Sequence, residues 1–226
     1  MKLVPCGDSA ASVRFEERIS PEVHREVMAF ARAVDRAAIP GVLELVPSYC
    51  ALMVSFDPLA LSFDELAQKL SSLKPGRAAG EESAAVVELP VCYGGEYGPD
   101  LDFVAARAGL SAHEVIRIHS GVEYPVYMLG FTPGFPYLGG MDARIAAPRL
   151  DAPRTSVAAG SVGIAGAQTG VYPVASPGGW RIIGRTPVKL YDPTREEPFL
   201  LAAGRKLRFV PVGAAEFARL EKEGAL

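Results

Sequence analysis

The side chains with usable chemistry crowd into the second half of this chain. Phe131, Phe135, Tyr137, Tyr172 and Trp180 lie in two stretches, residues 130–140 and 170–180, dense in glycine and proline and including Pro133. No helix or regular strand interior tolerates that many breakers. Rings on so stiff a backbone suit a preformed groove; the competing reading is barrel core, because aromatics usually fill space. Residues 121–190 also carry six basic side chains (Arg144, Arg149, Arg154, Arg181, Arg185, Lys189) against three acidic ones (Glu123, Asp142, Asp151), in a chain of net charge −3. Arginines beside glycine-rich loops suit a carboxylate or phosphate, to which they offer a planar fork of donors. Between them, residues 158–170 are glycine-rich with small side chains. Their N–H groups can form an anion-binding nest or simply pack in a tight sheet. Gln168 and Thr169 at the end of that stretch offer neutral groups that can read an amide. His119 can transfer protons near neutral pH, although the dipole alone favours histidine at a helix C-terminus.

Several chemistries lack their signatures. No Lys-Ser or Lys-Thr follows Gly160-Ser161-Val162-Gly163, so there is no Walker loop, and the dinucleotide glycine fingerprint is missing too. Cys6, Cys50 and Cys92 with three histidines show no metal-ligand spacing, and no Ser-His-Asp set or catalytic carboxylate pair stands out. The cysteines read as reduced thiols of a cytoplasmic protein. The N-terminal residues lack the apolar run of a signal peptide, and no run approaches a membrane span. Residues 104–118 imitate a helix-turn-helix, but their second helix offers Arg117 as its one firm cation, with Glu114 opposing it. Phosphate contacts dominate DNA affinity, so neither nucleic acid nor membrane is the expected partner.

The elements that must position these groups read as α+β. Residues 10–16 form a strand; Ser20 and Pro21 open a helix that runs to about Ala38; strands follow at 42–46 and 50–56. Ser62 and Glu65 make a capping box for a helix to Leu73. After a polar linker over residues 74–82, a strand over 84–91 closes a ferredoxin-like βαββαβ domain, residues 1–91. Residues 92–121 are a helical connector, with Asp100 capping one helix and Ser111–Glu114 boxing the next. His24 and His113 are expected on helix surfaces. From residue 122 to 226, short β-prone runs alternate with Gly and Pro turns, the texture of a β-barrel or closed sandwich, and a surface helix spans 213–223.

Three segments together resemble the allophanate hydrolase subunit 1 family. They are residues 130–140; residues 159–166 continuing into Gln168-Thr169-Gly170; and Ser176-Pro177-Gly178-Gly179-Trp180 leading to Ile183-Gly184-Arg185-Thr186-Pro187. Gly7-Asp8, Pro40-Gly41-Val42, residues 91–95 and 98–101 also fit, so the resemblance covers nearly the whole chain. It implies a cyclophilin-like barrel for the second domain and a cytoplasmic hetero-oligomer. Its implied activity is that of a non-autonomous subunit in an ATP-dependent (ATP with Mg) complex that opens 5-oxoproline to glutamate. The A subunit and a C subunit related to allophanate hydrolase subunit 2 are its implied partners, the active site being shared with the latter. The family also implies two alternatives: an inhibitor of a sporulation histidine kinase, KipI-like, or half of a biotin-dependent carboxyltransferase. By motif position, Phe131, Phe135 and Trp180 wall the groove and Arg154 and Arg185 meet a carboxylate or phosphate. Gln168, Thr169 and Ser176 then bond an amide, and His119 moves the proton.

Overall fold

The computed structural model describes residues 1–74 and 86–224. The chain divides into two compact units, residues 1–84 and 85–226. In the first, strands β1 (Lys2–Pro5), β2 (Ala10–Arg14), β3 (Val42–Pro47) and β4 (Ala51–Phe56) form an antiparallel sheet in the order β1-β2-β4-β3. Alternation along β2 and β4 turns Ala11, Val13, Leu52, Val54 and Phe56 to one face. There they meet Val27, Phe30 and Val34 of α1 (Pro21–Ala37) and Leu66 and Leu70 of α2 (Phe63–Ser72). Both helices begin where their caps predict. Ser20 Oγ accepts from Val23 N, and Ser62 and Glu65 exchange side-chain bonds to each other's backbone N–H groups. His24, expected on the surface, is buried in α1.

The first sheet is not closed as a ferredoxin-like domain would close it. The strand expected there, β5 (Val86–Tyr93), lies inside the second unit's sheet, parallel to β13 (Lys206–Pro211) and antiparallel to β12 (Arg181–Arg185). β1 takes the edge beside β2 instead. Most of the expected linker, from residue 75 on, lies outside the described residues.

The second unit adds α3 (Leu101–Ala108), α4 (Ala112–Ser120), β6 (Glu123–Leu129), β7 (Pro136–Leu138), β8 (Arg154–Val157), β9 (Ser161–Ala165), β10 (Gln168–Val171), β11 (Ser176–Gly178) and α5 (Ala214–Lys222). Seven strands run in the order β10-β9-β12-β5-β13-β6-β7, and β8 pairs with β11. The terminal strands β7 and β10 contact each other, so the sheet curls into a nearly closed barrel. Tyr124, Val126, Val162, Ile164, Ile183, Leu207 and Phe209 fill it, and α3 and α4 bury Val104, Val115 and Ile118 against the same core. The helix-turn-helix lookalike thus spends its apolar faces on the barrel. A smaller aromatic core, beside β8 and β11, positions the candidate site.

Candidate functional site

The β6–β7 hairpin ends in a tip spanning residues 130–135. Gly130 N donates to Phe135 O (3.1 Å), and Phe135 N to Thr132 O (3.1 Å). Within this frame Thr132 N donates to Gly130 O (2.8 Å), a γ-turn centred on Phe131 at φ 68°. That hand of γ-turn is rare and strained, and for a residue with a Cβ the left-handed region costs roughly 1–3 kcal/mol. The ring is 70% exposed. Its neighbour's hydroxyl, Thr132 Oγ1, is buried with no hydrogen-bond partner; Ser176 Oγ, on β11, is the other such buried side-chain atom among the described residues.

Behind the tip lies the aromatic core. Phe135 meets Tyr137, Tyr172 and Trp180 edge-on, with centroids 5.2, 5.6 and 5.5 Å away. Val157, Ala165 and Ile182 complete the cluster. This corrects the groove expectation: Phe135, Tyr172 and Trp180 are buried and hold one another, and Phe131 alone of the group stands out in solvent. Glycine is what lets the rings in. A Cβ on Gly170 would sit 2.9 Å from Phe135 Cζ, and one on Gly178 would collide with the Tyr172 phenol. At these two positions the absent side chain makes room for rings. Pro133 is exposed on the tip.

The cationic expectation is also corrected in part. Arg154 is engaged: its Nη2 donates to Asp100 (2.9 Å and 3.0 Å to the two carboxylate oxygens) and its Nη1 to Trp180 O (3.3 Å). Asp100 makes no side-chain cap for α3. Its carboxylate instead accepts from Ile182 N (2.7 Å), with Arg181 3.9 Å away over the Phe103 ring. This clamp pins the start of α3 to β8 and β12. Arg144 pairs with Asp142 and Lys189 with Asp192. Arg185 has no acidic partner within ion-pair distance among the described residues; its Nε donates to Ala159 O (3.0 Å).

His119 has both ring nitrogens occupied. The Thr169 hydroxyl donates to Gly163 O (3.0 Å), so its oxygen accepts from His119 Nε2 (2.8 Å), and His119 Nδ1 accepts from the Tyr93 hydroxyl (2.8 Å). The bond directions fix a neutral ring with its proton on Nε2. Complete burial pushes its pKa down to about 3, with the ring stacked on Phe209, and burial pushes the Tyr93 phenol well above its usual value. Sealed from solvent, the histidine holds α4, β5 and β10 together. It is a positioning residue, not the proton donor expected, and Thr169 is committed to the same relay.

The glycine-rich stretch is a hairpin, β9 and β10, in which every residue of β9 is buried. Tight packing is therefore the right reading of it, not an open nest. Gly160 at φ 80° lies so close to Thr186 O that a Cβ would strike it. Gln168 sits half-buried at the start of β10, opposite Ala165.

A signal that residue-by-residue reading missed is the placement of charge. No Asp, Glu, Lys, Arg or His occurs from Tyr124 to Met141 or from Thr155 to Trp180. These two segments meet in the aromatic core and bring no charge to the surface over it, where Phe131, Pro133, Ala175 and Pro177 are exposed; Arg154, bonded to Trp180 O, borders that core. Depletion of charge marks the centre of a recognition surface better than hydrophobicity does. Among the described residues no three His, Cys, Asp or Glu side chains are placed to hold a metal, and no helix is long and apolar enough to cross a membrane.

With this geometry in place, the chain can be set beside known proteins. The family model for the carboxyltransferase domain, subdomain C and D, matches residues 1–201. The chain is 46% identical to the 5-oxoprolinase B subunit of Bacillus subtilis (strain 168), over 96% of this chain and 95% of that one. It is 44% identical to the 5-oxoprolinase B subunit of Escherichia coli O157:H7, over 91% and 93%. Among solved structures, TTHA0988 superposes with TM-score 0.80 at 43% identity; it covers 91% of this chain, which spans only 40% of TTHA0988. The Kluyveromyces lactis urea carboxylase shares the fold, with TM-score 0.75 at 20% identity, and this chain spans 22% of it.

Proposed function

The chain belongs to the carboxyltransferase-domain family of subdomains C and D, and from that membership we propose that it is the B-type subunit of a cytoplasmic, ATP-dependent 5-oxoprolinase. One observation carries the reading: near-complete, two-way coverage at 46% and 44% identity by two proteins that bear that subunit's name. Urea carboxylase shares the fold at 20% identity, with this chain spanning 22% of its length, so the carboxyltransferase alternative has weaker support. The second unit is then a cyclophilin-like barrel, and the active site is completed by the C subunit, with the A subunit as third member.

5-Oxoproline is a small lactam carrying a carboxylate, and its amide is inert towards water. The complex would use ATP to phosphorylate the lactam oxygen with ADP leaving; water would add to the activated carbon, the ring C–N bond would break to leave an acyl phosphate, and a second water would release glutamate and phosphate. The described residues supply neither a phosphate loop nor an acidic cluster for magnesium, so we assign no nucleotide contact to this chain. What it offers is a rigid frame with groups to orient a substrate or a neighbour. Arg185, with no acidic partner among the described residues, is suited to a carboxylate. Gln168, half-buried at the start of β10, carries groups suited to an amide, whereas Ser176 Oγ lies buried beneath the surface. Asp100, Arg154, His119 and Thr169 fix the strands that carry them.

The test is genetic. A bacterium deleted for its own B-type protein and supplied with 5-oxoproline as sole nitrogen source should regain growth when this chain is expressed with A and C subunits. Absence of growth, with all three proteins present and folded, would contradict the reading.

A further inference from the structure

We propose that Phe131 is the anchor by which this chain docks its partner: the ring enters an apolar pocket on the C-type subunit. This rests on the subunit reading above and adds to it the surface and the residue that make the joint.

Three observations converge on the tip. First, Phe131 holds a backbone conformation that suits glycine, at φ 68°, while its ring stays 70% exposed. Among the described residues its one ring contact is the edge of Phe135, 5.8 Å between centroids. Folding of the lone chain gains little from a phenyl group there and bears its strain, so the group serves something outside the chain. Second, the mount is stiff. Besides the Gly130–Phe135 bond, Gly134 packs so closely on the next loop that a Cβ would stand 3.1 Å from Tyr191 Cβ. A pre-ordered aromatic loses little freedom on binding, which favours affinity. Third, a second open ring adjoins it. Phe199 is 44% exposed, stacks on Tyr191 at 5.2 Å and lies beside Gly134.

The occupant follows from shape, charge and the make-up of the relatives. An exposed ring at a hairpin tip is a knob, and small molecules bind in concavities; a knob needs a pocket on another protein. The hairpin and the floor behind it carry no charge between Tyr124 and Met141 or between Thr155 and Trp180, so the centre of the pocket that takes the ring is apolar, while the loop bearing Phe199 carries Asp192, Arg195, Glu196 and Glu197. In TTHA0988 and the urea carboxylase the matching region is 40% and 22% of a longer chain. The relatives matched over nearly their whole length carry a subunit's name, so for proteins of that kind the remaining surface comes in trans.

Phe131→Gly separates docking from folding. Glycine adopts φ 68° without strain, so the variant should melt at a higher temperature than the parent while binding the purified C subunit about tenfold or more weakly, as loss of an aromatic anchor does. Phe131→Ala should weaken binding similarly without the gain in melting temperature. If the parent binds the C subunit and both variants bind within about twofold of it, the anchor is wrong and the subunit reading stands. If the parent itself does not bind, the subunit reading fails and the anchor with it. Normal binding by the variants with lost turnover would place the ring on substrate, and a change confined to self-association would place it between copies of this chain; either overturns the proposal.

Discussion

Lowering the pH from about 7 to about 5 should remove on the order of 2 kcal/mol of folding stability through His119 alone. In the folded chain this ring is neutral, fully buried and held at a pKa of about 3, against 6.5 when free in water, because burial disfavours the imidazolium. The unfolded chain therefore takes up a proton first as acid is added. The contribution of the neutral ring is complete above the free value and is lost progressively as pH falls from there towards the folded value. Urea unfolding at the two pH values should show the drop. In His119→Gln, whose side chain does not titrate, that share of the drop should vanish even though the variant is weaker at neutral pH, because it breaks the relay from Tyr93 to Gly163. An unchanged pH dependence in the variant would mean that the ring is solvated or charged, and the assignment of its tautomer would fall.

Asp100→Ala should cost about 3 kcal/mol, because it strands the buried Ile182 N–H and takes the carboxylate from a partly buried Arg154. The carboxylate accepts from Ile182 N at 2.7 Å and holds Arg154 at 2.9 Å, with side chains 10% and 31% exposed for Asp100 and Arg154 respectively. Removing it leaves a buried N–H and a half-buried cation unmatched. Asp100→Asn keeps an acceptor for Ile182 and should recover part of the loss. Chemical denaturation measures both; a cost below about 1 kcal/mol for Asp100→Ala would show that this clamp is a surface ion pair of ordinary weakness.

The fate of Asp100 illustrates where the sequence stops being legible. As a helix start it was readable, but its true partner Arg154 lies 54 residues away and Ile182 lies 82 away. His119 likewise finds Tyr93 and Thr169 at separations of 26 and 50. Local reading placed the capping boxes of Ser62 and Ser111, the Ser20 start of α1 and the turn-rich texture of the barrel, since all of these are fixed within a few residues. β5 went to the wrong sheet because what claims it is β13, over a hundred residues on. The rings of residues 130–180 were correctly seen on a stiff, breaker-rich backbone, yet periodicity cannot tell the inner side of a loop from the outer. Phe135 went in and Phe131 stayed out, the difference being the space that Gly170 leaves. The charge-free runs on either side of the aromatic core were visible throughout and pointed to the same surface.

The central claim, that this chain completes a 5-oxoprolinase, is tested most directly by glutamate release in a purified mixture. With ATP, magnesium, 5-oxoproline and the A and C subunits held fixed, glutamate should form only when this chain is added and should rise with it to saturation. Release at the same rate without it, or none from an assembled three-part complex, would contradict the account.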